Sequence, residues 1–202
     1  MHKFMVPLLV VSLVALAVPA SAQNEIAFTA GGITKDSPSV SRIGPKTPCP
    51  ITGCQFPIEA NSLDAGFALN ASLTRRLVNL RLVDFSLELP VIVVPSRGTD
   101  VAVSNVRTVY FTPALKIGLN TNGAISPFAS VGGGFAHFSG GSSTSNLEGA
   151  FAVGGGADFK TPIPLFALRA EARYLRSGLP NVFVGSGNLN NVYFGAGVVL
   201  KF

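Results

Sequence analysis

From residue 24 onward, apolar side chains return at every second position through one stretch after another, and none is continuously apolar for the ~20 residues a membrane-spanning helix requires. A period of two belongs to strands, because helices place their apolar residues three and four apart. The chain is 48% apolar and only 12% charged. That composition excludes a disordered chain and, with no long apolar run, a helical membrane protein. It also argues against an ordinary cytosolic enzyme. A length of 202 residues fits a single domain.

Eight alternating segments can be marked out. The first covers residues 25–33, with Ile26, Phe28 and Ala30 on one side. In the second, 62–74, Leu63, Phe67, Leu69 and Leu73 oppose Asp64, Asn70 and Ser72. The third, 80–94, sets Val83, Phe85, Leu87, Leu89, Val91 and Val93 against Asp84, Ser86 and Glu88. The fourth is 106–119, with Val109, Phe111, Leu115 and Ile117 facing away from Thr108, Tyr110, Thr112 and Lys116. The remainder are 126–138, 148–160, 165–176 and 191–202. Val-Gly-Gly-Gly blocks begin at Val131 and Val153, and no helix signal follows either one. They therefore read as strand glycines that permit close approach in a narrow barrel, not as phosphate loops.

The first residues carry a separate signal. His2 and Lys3 precede an apolar run, and Ala20-Ser21-Ala22 has the form of a signal-peptidase site. Residues 1–22 are thus expected to be a cleaved signal peptide for Sec export, with 23–202 as the mature domain. Cys49 and Cys54 fit that route: thiols of exported proteins oxidise, and a local disulfide closing a small loop is the favoured reading. A metal site would need two further ligands, and His137, the sole histidine after the leader, is far away in sequence. The formal charge of +5 is spread singly, with Arg75-Arg76 the only adjacent basic pair. There is no basic run of the kind a nucleic-acid partner requires. No cofactor motif is visible.

Connections alternate in length. Those at 75–79, 120–125 and 161–164 are short, whereas 34–61, 95–105, 139–147 and 177–190 are longer and rich in Gly, Ser, Asn and Pro. With both chain ends on the short side, this is the layout of an all-β, antiparallel, up-and-down transmembrane barrel of eight strands, with short periplasmic turns and longer extracellular loops. The apolar faces then meet lipid. The opposite faces collect Glu25, Asp64, Asp84, Glu88, Asp158 and Glu171 with Lys116, Arg169, Arg173 and Lys201. An eight-strand interior is only wide enough for side chains, so these groups are expected to form a fold-holding ion network in a plugged lumen.

The last segment, VYFGAGVVLKF, keeps Phe194, Ala196, Val198, Leu200 and the terminal Phe202 in one alternating series. It looks like the sorting signal of outer-membrane barrels. The mature chain resembles the small eight-stranded OmpA/OmpX-like outer-membrane β-barrel family. Further points of likeness are Ala30-Gly31-Gly32, Ser126-Pro127-Phe128 before Val131-Gly132-Gly133-Gly134, and Leu168-Arg169-Ala170-Glu171-Ala172-Arg173. The resemblance implies residence in the outer membrane of a Gram-negative bacterium among lipids and lipopolysaccharide. It also implies delivery by periplasmic chaperones and the barrel assembly machinery. The chain departs from the family in its proline-rich, cysteine-bearing first loop and in having no peptidoglycan-binding domain.

Three function classes follow. The first is a non-catalytic structural or surface-interaction scaffold whose loops meet an extracellular ligand, since loops on rigid frames commonly carry recognition. The second is a small porin-like pore or transport barrel, disfavoured by lumen charges and by Tyr110. The third is a lipid A-modifying enzyme: lipid A deacylase barrels use a His-x-Ser pair plus a Glu, and His137, Ser139 and Glu148 offer those residue types. Against it, His137 has a simpler place beside Phe135 and Phe138 among interfacial aromatics.

Overall fold

The computed structural model describes residues 24–34, 64–80, 82–98, 106–119, 121, 123–140, 143–163, 165–178 and 188–202. The leader, Cys49 and Cys54 lie outside them. Among the described residues there are nine strands: β1 Asn24–Ile33, β2 Gly66–Asn79, β3 Val83–Arg97, β4 Val106–Phe111, β5 Ala114–Leu119, β6 Ile125–Gly140, β7 Ser143–Lys160, β8 Phe166–Gly178 and β9 Asn188–Lys201. All pairings are antiparallel between neighbours, and β9 returns to β1, with Phe28 opposite Val198, so the sheet closes. Asn24 and Phe202 exchange backbone hydrogen bonds at 2.8 and 2.9 Å, carrying closure to the terminal residue.

β4 and β5 are two halves of one barrel stave. Both pair with β3 and β6, and the register is the same on either side of the break: Phe111 faces Phe135, and Ala114 faces Gly132. The interruption is chemical. Pro113 has no N–H to give to the ladder, although its carbonyl still accepts from Gly133 at 3.1 Å. Eight staves therefore form the barrel, as the alternation predicts.

Two expected boundaries move. The second strand begins at Gly66 and runs to Asn79, through the residues read as a turn. Reciprocal backbone bonds between Leu80 and Val83 close this hairpin. Residues 75–79, expected as a short connection, instead continue the strand to the membrane boundary. Residues 139–147, expected as a long loop, are largely strand, since β6 and β7 stay paired out to Gly140 and Ser143. Serine and glycine there indicated a loop, and long-range pairing overrides that local preference.

Among the described residues no helix is long and apolar enough to cross a membrane, so crossing falls to the strands. Phe28, Leu69, Leu115, Val131, Phe151, Leu168 and Phe194 all stand exposed on the outside of the closed sheet. A belt of that extent far exceeds the apolar patches of a soluble monomer, and lipid is the solvent it fits.

Candidate functional site

The inward faces fill the lumen in two layers of different chemistry. The end where both termini lie is charged. Asp158 and Arg169 are direct cross-strand partners, joined Nε to Oδ1 at 2.7 Å and Nη2 to Oδ2 at 2.9 Å. Glu25 Oε2 accepts from Lys116 at 3.1 Å and from Arg169 at 3.3 Å. Arg169 also lies 3.8 Å from Glu88, whose Oε1 receives Arg173 at 2.7 Å. Arg173 closes back on Glu171 at 2.8 Å. The other oxygen of Glu171 accepts from Thr29 at 2.7 Å and Asn70 at 2.6 Å, and Thr29 shares a hydrogen bond with the Tyr193 hydroxyl at 2.8 Å.

Four cations, Lys116, Arg169, Arg173 and Lys201, thus interleave with four carboxylates, Glu25, Glu88, Asp158 and Glu171. Near-neutrality lets so many charges stay out of water, because an uncompensated buried charge costs several kcal/mol. The Phe128 ring lies beneath Lys116 Nζ at 4.5 Å and Arg169 at 4.7 Å, adding a cation–π contact on the same floor.

Strand glycines make room for these long side chains. A Cβ at Gly156 would meet the Ala170 carbonyl first and the Phe128 ring at 2.8 Å, and one at Gly195 would run into the Tyr193 hydroxyl. Narrowness of the barrel, the sequence-based explanation for the glycine blocks, is therefore only part of their role.

Toward the other end the lumen becomes apolar. Ile33, Ile92, Val94, Val106, Phe138 and Leu175 pack with Tyr110 and Tyr193 into a buried cluster. Tyr110 meets the Phe138 ring edge-on at 6.4 Å between centroids. Phe138 was expected in an outer aromatic girdle. It points inward, because its place in the β6 alternation is that of buried Ala136. Phe135 does face outward, packed on Phe111 at 5.5 Å.

Arg97 caps this plug. It donates Nε to the Asp64 carbonyl at 2.8 Å and Nη2 to the Thr34 carbonyl at 2.6 Å and Asn191 Oδ1 at 2.9 Å. Sequence reasoning placed Arg97 in a loop. A register shift between Val94 and Arg97 reverses the alternation and turns the side chain inward, and Pro95 is the only advance sign of that bulge. Asp64, expected among the network acids, stands at this end with Arg97. Asp84 is at the terminal end, 3.9 Å from Arg76 and 3.3 Å from Ser86. Glu88, Lys116, Asp158, Arg169, Glu171 and Arg173 come together.

The candidate catalytic trio does not assemble. His137 pairs with Leu147, and Glu148 pairs with buried Ala136, so the imidazole and the carboxylate lie on opposite faces of the wall. Ser139 shares the outward face with His137, while Glu148 accepts from Asn146 at 2.7 Å. On β9, Phe194, Leu200 and Phe202 are exposed on the outer face in one series with Val198.

No protein-family model matches the sequence, and no curated protein matches it either. Solved structures do. The outer membrane protein OprG from Pseudomonas aeruginosa is similar over 90% of this chain and 96% of its own, with a TM-score of 0.50 and 13% identity. The outer membrane enzyme PagL is similar over 87% of this chain and 98% of its own, with a TM-score of 0.51 and 13% identity. At such identity the likeness shows the fold: the chain is built as a small eight-stranded barrel of the outer-membrane type.

Proposed function

We propose that this chain is an outer-membrane scaffold that presents its long connections to the cell exterior and catalyses no reaction. The observation that carries this reading is the filled lumen. Ion pairs occupy one end and an apolar plug the other, while segments 34–65, 98–105 and 179–187 all leave from the plugged rim. A rigid frame with variable connections on one rim suits recognition. The pore alternative finds no support in an interior where Arg97, Arg169, Arg173, Tyr110 and Tyr193 are all buried. The lipid A-modifying alternative would need His137 and Glu148 on one face.

In this reading the chain is exported through the Sec route, loses residues 1–22 and folds with the aid of periplasmic chaperones and the assembly machinery. Its β9 face through Phe202 serves as the sorting signal, and lipopolysaccharide and phospholipid surround its belt. A Cys49–Cys54 disulfide would tie the first connection.

The test replaces residues 35–63 with a short turn and compares both barrels on immobilised host-surface glycans, matrix proteins and whole cells. Binding that disappears while heat-modifiable migration persists is the expected result. A ligand held equally by both forms would refute loop-borne recognition, and conductance in planar bilayers would refute the plugged scaffold.

A further inference from the structure

The charged end of the lumen opens into a half-enclosed cavity of about 240 Å3. Its walls include four cations, Arg76, Lys116, Lys160 and Lys201, and three carboxylates, Glu25, Asp84 and Asp158. Most of that negative charge is already engaged. Both oxygens of Asp158 are held by Arg169, and Glu25 Oε2 is shared between Lys116 and Arg169. Lys201 is left with Glu25 Oε1 at 3.6 Å and Asp158 Oδ2 at 3.7 Å, both longer than a hydrogen bond. Lys160 donates to the Thr121 carbonyl at 2.9 Å and, among the described residues, has no carboxylate within ion-pair distance.

An ammonium carries three donors, so among the described residues the two rim lysines retain donors without a hydrogen-bond acceptor. They sit on β7 and β9, flanking β8, with the Arg169–Asp158 pair behind them. A cleft lined by an excess of one sign between low-dielectric walls concentrates the field toward its opening. Lysine binds phosphate as a point charge, and a phosphate oxygen set can accept from two ammonium groups at once.

We propose that this mouth is a binding site for a phosphate group, held chiefly by Lys160 and Lys201 over the Arg169–Asp158 pair. Two sources supply that chemistry on the terminal side of the barrel: a soluble phosphate, or the headgroup of a phospholipid in the adjoining leaflet. The site is independent of the loops and stands or falls apart from the recognition function.

The test uses isotope-labelled barrel refolded in maltoside micelles, in buffer without phosphate. Inorganic phosphate is titrated against chloride of equal ionic strength while the amides of Gly118, Ser126 and Lys201 are followed. Saturating shifts confined to the mouth are expected. The K160Q/K201Q double variant should weaken the apparent affinity about a hundredfold, roughly tenfold for each charge-assisted hydrogen bond lost. R107Q, at the opposite rim, should leave the affinity unchanged. If the double variant does not regain heat-modifiable migration, K160Q alone is read for the same direction of change. Shifts that stay linear in phosphate, or that survive the variant unchanged, overturn the proposal. A second arm adds short-chain phosphatidylglycerol: shifts at the same amides, competed by inorganic phosphate, assign a headgroup ligand, and their absence assigns a soluble one.

Discussion

Arg169 faces Asp158 directly across the β7–β8 ladder and holds both of its carboxylate oxygens, while reaching toward Glu25 and Glu88 on the far side of the lumen. One guanidinium therefore ties β8 to β7, β1 and β3. Replacing it by Met should leave Asp158 buried without its principal partner and cost ~3–5 kcal/mol. Urea titrations in lipid vesicles would measure this. Asp158→Asn added to R169M should restore part of the loss, because the two sites share one interaction. Strictly additive losses would remove the pair from the account.

Gly195 and Tyr193 offer a second test. A methyl at Gly195 intrudes on the Tyr193 hydroxyl, so Gly195→Ala should destabilise by ~1–3 kcal/mol through overpacking. Tyr193→Phe in the same chain should recover some of that by removing the oxygen. At Gly32 the nearest atom to a Cβ is the Gly66 carbonyl oxygen at 3.8 Å, so Gly32→Ala should change stability little. Equal effects at the two glycines would mean that the Tyr193 contact is not the cause.

The depth of the lipid belt can be read with arginine. Val91 lies midway along β3 on the outer face, and Val91→Arg should cost ~2–4 kcal/mol, falling to ~0–1 for Leu82→Arg in the turn region. Folding titrations giving the reverse order would displace the barrel along its axis relative to the membrane.

Deleting Phe202 removes the final pair of closing bonds with Asn24 and the end of the outer apolar series. The expected outcome is nearly normal folding in detergent but less heat-modifiable barrel in the outer membrane, with unfolded chain in the periplasm. Fractionation and shifted-migration gels would decide, and a full yield from the deletion would reject the sorting role.

Lipid A from cells expressing the chain or His137→Ala and Ser139→Ala variants should have identical acyl composition by mass spectrometry. A difference would establish the chemistry that the opposed faces of His137 and Glu148 argue against.

The barrel was legible because lipid on one side and a packed lumen on the other impose opposite polarities on alternate residues, and Lys116, Arg169, Glu171 and Arg173 all kept that phase. Features that break phase or depend on distant neighbours were not legible. Arg97 follows a bulge, so counting by twos sends it outward when it points in. Phe138 obeys the period, but an aromatic beside a histidine suggests a membrane rim until Tyr110 is known to lie within reach. The glycines of β7 and β9 announced tightness without revealing what pressed against them. Only the fold places the Tyr193 hydroxyl above Gly195.

Pro113 leaves the stave in register but withholds one N–H from the wall, opposite the glycine run Gly132-Gly133-Gly134. Lipid offers the backbone acceptor facing that missing N–H no replacement donor. The seam between this stave and β6 is accordingly one bond short beside Pro113. Native-state amide exchange should be fastest there among the membrane-embedded pairs, so that a proline invisible to the barrel's shape governs where the wall breathes.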